Sequence, residues 1–177
     1  MIGMLKVICR EYRENISADK RFTLLYALLC FWRVPNFRVN VYIRMMQEAK
    51  HPLRKELISK KLCLKYGVEV GRNTTIGRKL AIRHISGIVL GSGAVIGNNV
   101  TLYHGVTLGQ RNKKYPKILD GVTIYPNSTI LGDVVIGRNS IVLASSVVLK
   151  DVPDNCIVAG NPANIVKNIE VGIEGRS

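Results

Sequence analysis

An aliphatic residue returns every six positions from Val70 to Val148, and this period constrains the fold of the 177-residue chain more than any other feature. The series consists of Val70, Ile76, Ile82, then Leu90, Ile96, Leu102, Leu108, then Ile118, Ile124, Ile130, Ile136, Val142 and Val148. A period of six is neither that of a helix nor that of an alternating strand. It is typical of the hexapeptide repeat of a parallel β-helix, in which three short strands close one triangular coil. We therefore predict a mainly β chain with a β-helix over residues 66–152.

Two irregularities interrupt the period. Ile82 and Leu90 are eight positions apart, so two residues are inserted directly after His84. Leu108 and Ile118 are ten apart, so four extra residues must leave the coil, and we predict an extruded loop over 110–117. Loops on a rigid scaffold often carry binding residues, which directs attention to this part of the coil.

The segments outside the repeat differ from it in pattern. Residues 1–65 carry apolar residues at helical spacing and stop near Gly67, which predicts a short N-terminal α-helical region. Pro153 and Pro162 end the repeat, so we predict a C-terminal cap and tail over 153–177, with a polar last stretch that frays.

The uncharged run from Thr23 to Trp32 is ten residues long, whereas about 20 are needed to span a bilayer. We expect a buried or interfacial helix here. Its basic flanks Lys20, Arg21 and Arg33 are compatible with peripheral contact to anionic lipid, and core or subunit packing is the favoured alternative.

The formal charge of +14 favours anionic partners, although basic residues also serve solubility. They concentrate in the helical region and in the 111–117 segment without interleaved aromatics, so we predict no nucleic-acid binding. The four cysteines form no C-x-x-C pair and the start shows no secretory signal, which predicts reduced thiols in a cytoplasmic protein, with the inner face of the membrane as a further location.

Two histidines acquire a geometry from the repeat. His84 and His104 each occupy the third position of a hexapeptide, and they are 20 residues apart, one coil plus the two inserted residues. They should lie on one face in adjacent coils. A metal site lacks further ligands in the sequence, so we predict no metal, and a hydrogen-bonded structural pair is the plain alternative. We favour a general base with the second histidine assisting.

The repeat region resembles the left-handed β-helix acyltransferases. The stretches that carry the resemblance are RHISGIVLGSGAVIG, VTLYHGVTLG, YPKILDGVTI, STILGDVVIG, SSVVLKDVP and AGNPANIV. Within this superfamily the chain is similar to serine acetyltransferases and to O-acetyltransferases of surface-polysaccharide clusters. The resemblance implies a left-handed coil, a homotrimer, and acetyl-CoA as co-substrate in the groove between adjacent β-helices.

The resemblance also implies roles for individual residues. His84 falls on the catalytic histidine and Glu69 on the carboxylate that orients it, with His104 assisting. Cofactor-binding positions are Gly109, Gln110, Pro126, Ala144, Lys150 and Lys167. Substrate-binding positions are Arg83, Lys114 and Tyr115.

Arg83, Lys114 and Tyr115 replace residues with which serine acetyltransferases hold the amino acid. On that ground we expect an acetyl-CoA-dependent O-acetyltransferase that acts on a sugar hydroxyl in surface-polysaccharide synthesis. The alternatives are a serine O-acetyltransferase and a non-catalytic β-helix scaffold.

Overall fold

A computed structural model describes residues 2–16 and 24–169. Four helices come first: α1 (Ile2–Asn15), α2 (Leu24–Arg33), α3 (Pro35–Glu48) and α4 (Pro52–Tyr66). Each of α3 and α4 begins with a proline, and α4 ends at Gly67, whose φ of 63° is the left-handed conformation that glycine adopts readily. The basic flank Lys20 and Arg21 and the expected fraying of 170–177 lie outside the described residues.

Fifteen short strands follow the helices. They are β1 (Val68–Val70), β2 (Thr75–Ile76), β3 (Ala81–Ile82), β4 (Ile88–Leu90), β5 (Val95–Ile96), β6 (Thr101–Leu102), β7 (Thr107–Gly109), β8 (Lys117–Ile118), β9 (Thr123–Ile124), β10 (Thr129–Leu131), β11 (Val135–Ile136), β12 (Ile141–Val142), β13 (Val147–Val148), β14 (Cys156–Gly160) and β15 (Ala163–Asn168).

The strands form three sheets that run along the axis of a β-helix. Their orders are β1-β4-β7-β10-β13, which we call sheet A, β2-β5-β8-β11, sheet B, and β3-β6-β9-β12-β14-β15, sheet C. All pairs are parallel except the last, β14 with β15. The predicted β-helix is confirmed, with the helical region at its N-terminal end.

The inward positions of the repeat make the core. All thirteen aliphatic residues of the series are at most 5% exposed, and they stack in register, as Ile82 on Leu102 and Leu102 on Ile124. Burying one such side chain contributes about 1.5 to 3 kcal/mol. The period was therefore sufficient to predict these thirteen side chains of the core, which further buried residues such as Ile88 and Val106 complete.

Helix α3 covers the open edge of the first coil with polar side chains. The first strand of each sheet has no strand beneath it, so its outer carbonyls need other donors. Asn40 Nδ2 donates to the carbonyl oxygen of Leu80 at 2.9 Å, and Arg44 Nη1 donates to that of Ile76 at 2.7 Å. Ser59 of α4 does the same for Val70 at 3.0 Å. Helix α3 thus takes the place of a missing coil.

A buried ion pair ties α1 to this arrangement. Arg44 Nε lies 3.0 Å from Glu11 Oε1, and Glu11 is 1% exposed. Burial raises the pKa of the Glu11 carboxyl, and the nearby Arg44 charge opposes that shift.

The end of the β-helix differs from the sequence prediction. Val152 still bridges Ile136, and β14 adds a further parallel strand to sheet C beyond the expected boundary at 152. Strand β15 then turns back antiparallel on β14 and covers that edge. The two prolines therefore end the hexapeptide period without ending the sheet.

Candidate active site

His84 and His104 lie side by side on one corner of the β-helix, which we call the histidine corner. Strand β3 pairs with β6 so that Ile82 faces Leu102, and the two histidines follow each strand by the same number of residues. Their ring centroids are 5.8 Å apart with the planes at 75°. The predicted adjacency is confirmed, and two imidazoles at this distance can serve one reacting hydroxyl.

The two inserted residues after His84 shape the turn that presents it. The chain reverses through Ser86 and Gly87, whose φ is 62°, and the Ser86 carbonyl accepts a hydrogen bond from Gly105 N at 2.9 Å. Gly105 itself has a φ of 67°. Both glycines occupy the left-handed region, which costs other residues energy. His84 is exposed on this turn, and His104 is half-buried beside it.

A column of aromatic side chains runs next to the histidines. Tyr103 and Tyr125 stack with ring centroids 5.0 Å apart and planes 10° apart, and Tyr103 lies 6.2 Å from His84. Arg83 occupies the same column one coil earlier. Sequence reasoning missed the tyrosine pair, although the register could have found it, because each tyrosine directly follows an inward aliphatic residue.

Asn36 of α3 fixes the backbone immediately before His84. Its Nδ2 donates to the Arg83 carbonyl at 2.5 Å, while the Arg83 amide donates to Leu102 O at 2.9 Å. The Arg83 peptide is therefore held from both sides. No sequence signal pointed to Asn36, because it is 47 residues from Arg83 and belongs to a different element.

Glu69 lies in the middle of β1 on the outer face of sheet A, where it is exposed and stands opposite Val89. Within residues 24–169, no hydrogen bond or ion pair joins its carboxylate to His84. The orienting role of Glu69 stays a prediction.

The 110–117 segment leaves the coil as predicted and folds back against it. Arg111 and Lys114 form an antiparallel bridge across a tight turn. Lys114 Nζ lies 2.5 Å from Asp133 Oδ2, which raises the pKa of Lys114 and lowers that of Asp133. Strand β8 begins at Lys117, one residue inside the predicted loop.

Tyr115 packs its ring over the glycines of the preceding coil. A Cβ at Gly91 would lie 2.6 Å from Tyr115 Cε1, and one at Gly93 would lie 2.4 Å from Cδ2. The two predicted substrate-binding residues of this loop, Lys114 and Tyr115, are thus both engaged within the chain. Arg83 directly precedes His84 in the chain, is exposed, and has no acidic partner among the described residues.

The predicted cofactor-binding residues divide between two corners of the β-helix. Pro126 and Ala144 continue the histidine column, as shown by the hydrogen bonds from Asn127 N to His104 O and from Ser145 N to Pro126 O, at 3.0 and 2.9 Å. Gly109 ends β7, while Gln110 and Lys150 follow β7 and β13, so these three lie where strands of sheet A end, which we call the sheet A corner.

Gly109 lies against Leu131 at the sheet A corner. A Cβ on Gly109 would lie 2.6 Å from Leu131 Cδ2, so a side chain at this position would have to displace the end of the Leu131 side chain. A cleft beside it is lined by Arg111, Asn112 and Lys114 of the loop and by Leu149. Lys167 lies apart from both corners, on β15.

No group of three or more His, Cys, Asp or Glu residues in the described part of the chain is arranged to hold a metal ion. The functional groups at the histidine corner are the two imidazoles, the phenols of Tyr103 and Tyr125, and the guanidinium of Arg83.

Known proteins resemble this chain in sequence and in fold. The family described as bacterial transferase hexapeptide (six repeats) matches residues 115–150. A serine acetyltransferase of Synechococcus elongatus is 32% identical over 179 residues, covering 97% of this chain and 72% of the relative. The chain belongs to the serine acetyltransferase family. This family consists of acyltransferases, so the resemblance to left-handed β-helix acyltransferases is confirmed.

Solved structures of the serine acetyltransferase family agree in fold. The enzyme of Brucella abortus in complex with coenzyme A gives a TM-score of 0.76 at 29% identity and covers 96% of this chain and 68% of its own. The enzyme of Neisseria gonorrhoeae in complex with serine gives 0.74 at 31% identity, with 94% and 69% covered.

The relatives also differ from this chain in extent. The chain spans only 34% and 48% of the length of two further curated serine acetyltransferases that it matches. The comparisons favour the serine alternative and give no support to the sugar acceptor that the sequence suggested first.

Proposed function

We propose that the protein is an acetyl-CoA-dependent serine O-acetyltransferase with His84 as its general base. The observation that carries the proposal is the paired His84 and His104 on one corner of a β-helix whose whole length matches a serine acetyltransferase. Because the ordinary pKa of a protonated imidazole lies near neutral pH, a neutral imidazole is suited to accept a hydroxyl proton.

The reaction would run through His84 as follows. His84 takes the proton of the acceptor hydroxyl, and the acceptor oxygen forms a bond to the carbonyl carbon of the acetyl thioester. The tetrahedral oxyanion then collapses with cleavage of the carbon–sulfur bond. The leaving thiolate takes the proton from the His84 imidazolium, which restores the base. His104, 5.8 Å away between ring centroids, would orient the acceptor or share its hydrogen bonds.

Arg83 is the cation best placed to hold the carboxylate of serine. Lys114 is paired with Asp133, and Tyr115 is packed over glycines, so the loop offers neither to an acceptor without rearrangement. Arg83 precedes His84 in the chain, its backbone is held by Asn36, and its guanidinium can bind a carboxylate through two parallel hydrogen bonds.

We also propose that the protein assembles as a trimer. Within one chain, the predicted cofactor-binding residues of the sheet A corner and those of the histidine corner belong to different edges of the triangle. Neighbouring protomers would bring one edge of each together, and acetyl-CoA would then contact Gly109 and Lys150 as well as Ala144. Sedimentation equilibrium measures the assembly, and a monomer that turns over acetyl-CoA at full rate would refute it.

An acceptor screen with free-thiol release as the readout tests the function. L-serine should release CoA from acetyl-CoA, whereas serinamide, which lacks the carboxylate, should have a KM raised about tenfold or more. In the Arg83→Gln variant the two acceptors should become nearly equal. Turnover with hexoses or sugar nucleotides and none with L-serine would replace the serine proposal by the sugar acceptor, and no turnover with any hydroxyl compound would favour a scaffold.

A further inference from the structure

Helix α2 turns its apolar stripe away from the protein. Leu25, Leu28, Leu29 and Trp32 are spaced i, i+3, i+4 and i+7, which places them on one face of the helix. In a globular protein such a stripe faces the core. Here all four are exposed, Trp32 by 75% and Leu25 by 64%, and Ala27 is the one residue of α2 that is buried.

The opposite side of α2 explains this orientation. Phe31 packs against Tyr42 with ring centroids 5.8 Å apart, and Ala27 packs in a small cluster with Val7, Ile8 and Phe37. The helix is therefore anchored on α1 and α3 through its narrower face. Its wider apolar face is left for a partner.

Basic residues border the stripe on both sides. Arg33 is exposed at the end of α2. Beyond Leu24, a cleft along α1 is lined by Lys6, Arg10 and Arg13 together with Glu14. Arg10 also pairs with Glu48 at 2.6 Å on the protein surface. Among the described residues named here the cations outnumber the carboxylates, as they do in the whole chain, where the formal charge is +14.

We propose that the α2 face, defined as Leu25, Leu28, Leu29 and Trp32 with its basic border, docks on an anionic lipid surface. An apolar stripe with a tryptophan, a neighbouring tyrosine at position 26 and a rim of Lys and Arg is the pattern of a helix that lies in the plane of a membrane interface. Since no described helix is long and apolar enough to cross a bilayer, the contact is peripheral.

Charge favours an anionic lipid surface over a second copy of the chain as the partner of the α2 face. A two-fold contact between α2 faces would bring two equally basic borders together and would be opposed by their repulsion. An anionic surface is instead attracted, and each basic residue near it strengthens the attraction until salt screens it. This inference does not rest on the proposed acetyl transfer.

The single tryptophan of the chain is at the centre of the proposed contact, so its fluorescence reports on docking directly. The 177-residue protein is mixed with vesicles of phosphatidylcholine alone or with added phosphatidylglycerol. The emission of Trp32 should move to shorter wavelength, and the protein should sediment, with the anionic vesicles. Both effects should weaken at high salt and be small with neutral vesicles.

Paired variants locate the contact. Leu25→Asn with Leu29→Asn keeps the reporter and should weaken partition by about tenfold per leucine, since partial burial of one leucine is worth about that factor. The matched control is Leu57→Asn with Leu64→Asn, which removes two leucines of α4 that are 67% and 86% exposed. The control should bind vesicles like the unaltered protein.

Three results would overturn the proposal: no sedimentation of the unaltered protein with anionic vesicles, equal binding by the α2 variant, or equal loss in the α4 control. A Trp32 emission that shifts with protein concentration in the absence of lipid would assign the face to a second copy instead.

Discussion

The β-helix and the helical region are held together by different kinds of contact. In the β-helix the same inward position is repeated thirteen times, and each side chain rests on an equivalent one in the next coil. In the helical region, apolar side chains such as Ile43 of α3 and Leu62 of α4 pack on the same core, and a few polar side chains of α3 each reach a different backbone carbonyl at the edge of the coil. The contacts repeat one pattern in the first region, whereas the polar contacts of the second are individual and concentrated on α3.

This difference bears on the candidate site, because His84 lies in the first complete coil, where the two regions meet. On one side the His84 turn is stacked on the next coil through Gly105 and Leu102. On the other side it is held by Asn36 of α3. The regular scaffold places the histidine pair, and the helical region fixes the backbone next to it.

Arg44→Ala should give the largest loss of stability, because it leaves Glu11 buried without its cation and removes one of the two side-chain donors to Ile76 O. Breaking one side of a buried pair costs about 3 to 5 kcal/mol. Urea unfolding measures the loss. The double variant Arg44→Met with Glu11→Leu removes both charges and should recover most of it. A cost below about 1 kcal/mol for Arg44→Ala would contradict the view that polar attachment is concentrated there.

Leu102→Ala should cost slightly less, about 3 kcal/mol, because the coils above and below limit collapse of the cavity. Leu102 is fully buried between Ile82 and Ile124. Val95→Ala, on the outward side of sheet B where the side chain is 38% exposed, is the matched control and should cost much less. If the two variants unfold at the same urea concentration, the inward stack is not the source of stability.

Asn36→Ala should lower kcat by about tenfold with little change in the KM for acetyl-CoA, because the Arg83 peptide loses one of its two restraints. Asn40→Ala removes the corresponding bond to Leu80, away from the histidines, and serves as the control. We expect Asn40→Ala to lose more stability but to keep kcat. The reverse pattern would show that α3 does not position His84.

A smaller effect is expected from pH. Burial raises the pKa of Glu11 above its unfolded value, so the folded state takes up a proton first as the pH falls. The free energy of unfolding of the unaltered protein, relative to Glu11→Gln, should therefore rise as the pH is lowered through the raised pKa toward the ordinary value of a carboxyl. Denaturation at a series of pH values measures this difference, and a fall in place of the rise would mean that the Arg44 charge outweighs burial.

The sequence predicted the regular region well because its period repeats one physical requirement, an aliphatic side chain pointing into the coil. The side-by-side placement of His84 and His104 followed from that register. The contacts of Asn36, Asn40 and Arg44 could not be predicted, since docking of a helix on a strand edge leaves no period. The extra strand β14 was missed because Pro153 ends the hexapeptide spacing but not the pairing of sheet C. The sequence suggested a sugar acceptor first because Arg83, Lys114 and Tyr115 depart from the residues with which serine acetyltransferases hold the amino acid, whereas the comparisons favour the serine alternative.

The most direct test of acetyl transfer by His84 is thiol release from acetyl-CoA with L-serine, measured for the unaltered protein, His84→Ala and His104→Ala. We expect turnover by the unaltered protein, a loss of about a hundredfold to ten thousandfold in kcat for His84→Ala, and a smaller loss for His104→Ala. Retained turnover in His84→Ala, with loss in His104→Ala, would contradict the account and move the base to His104.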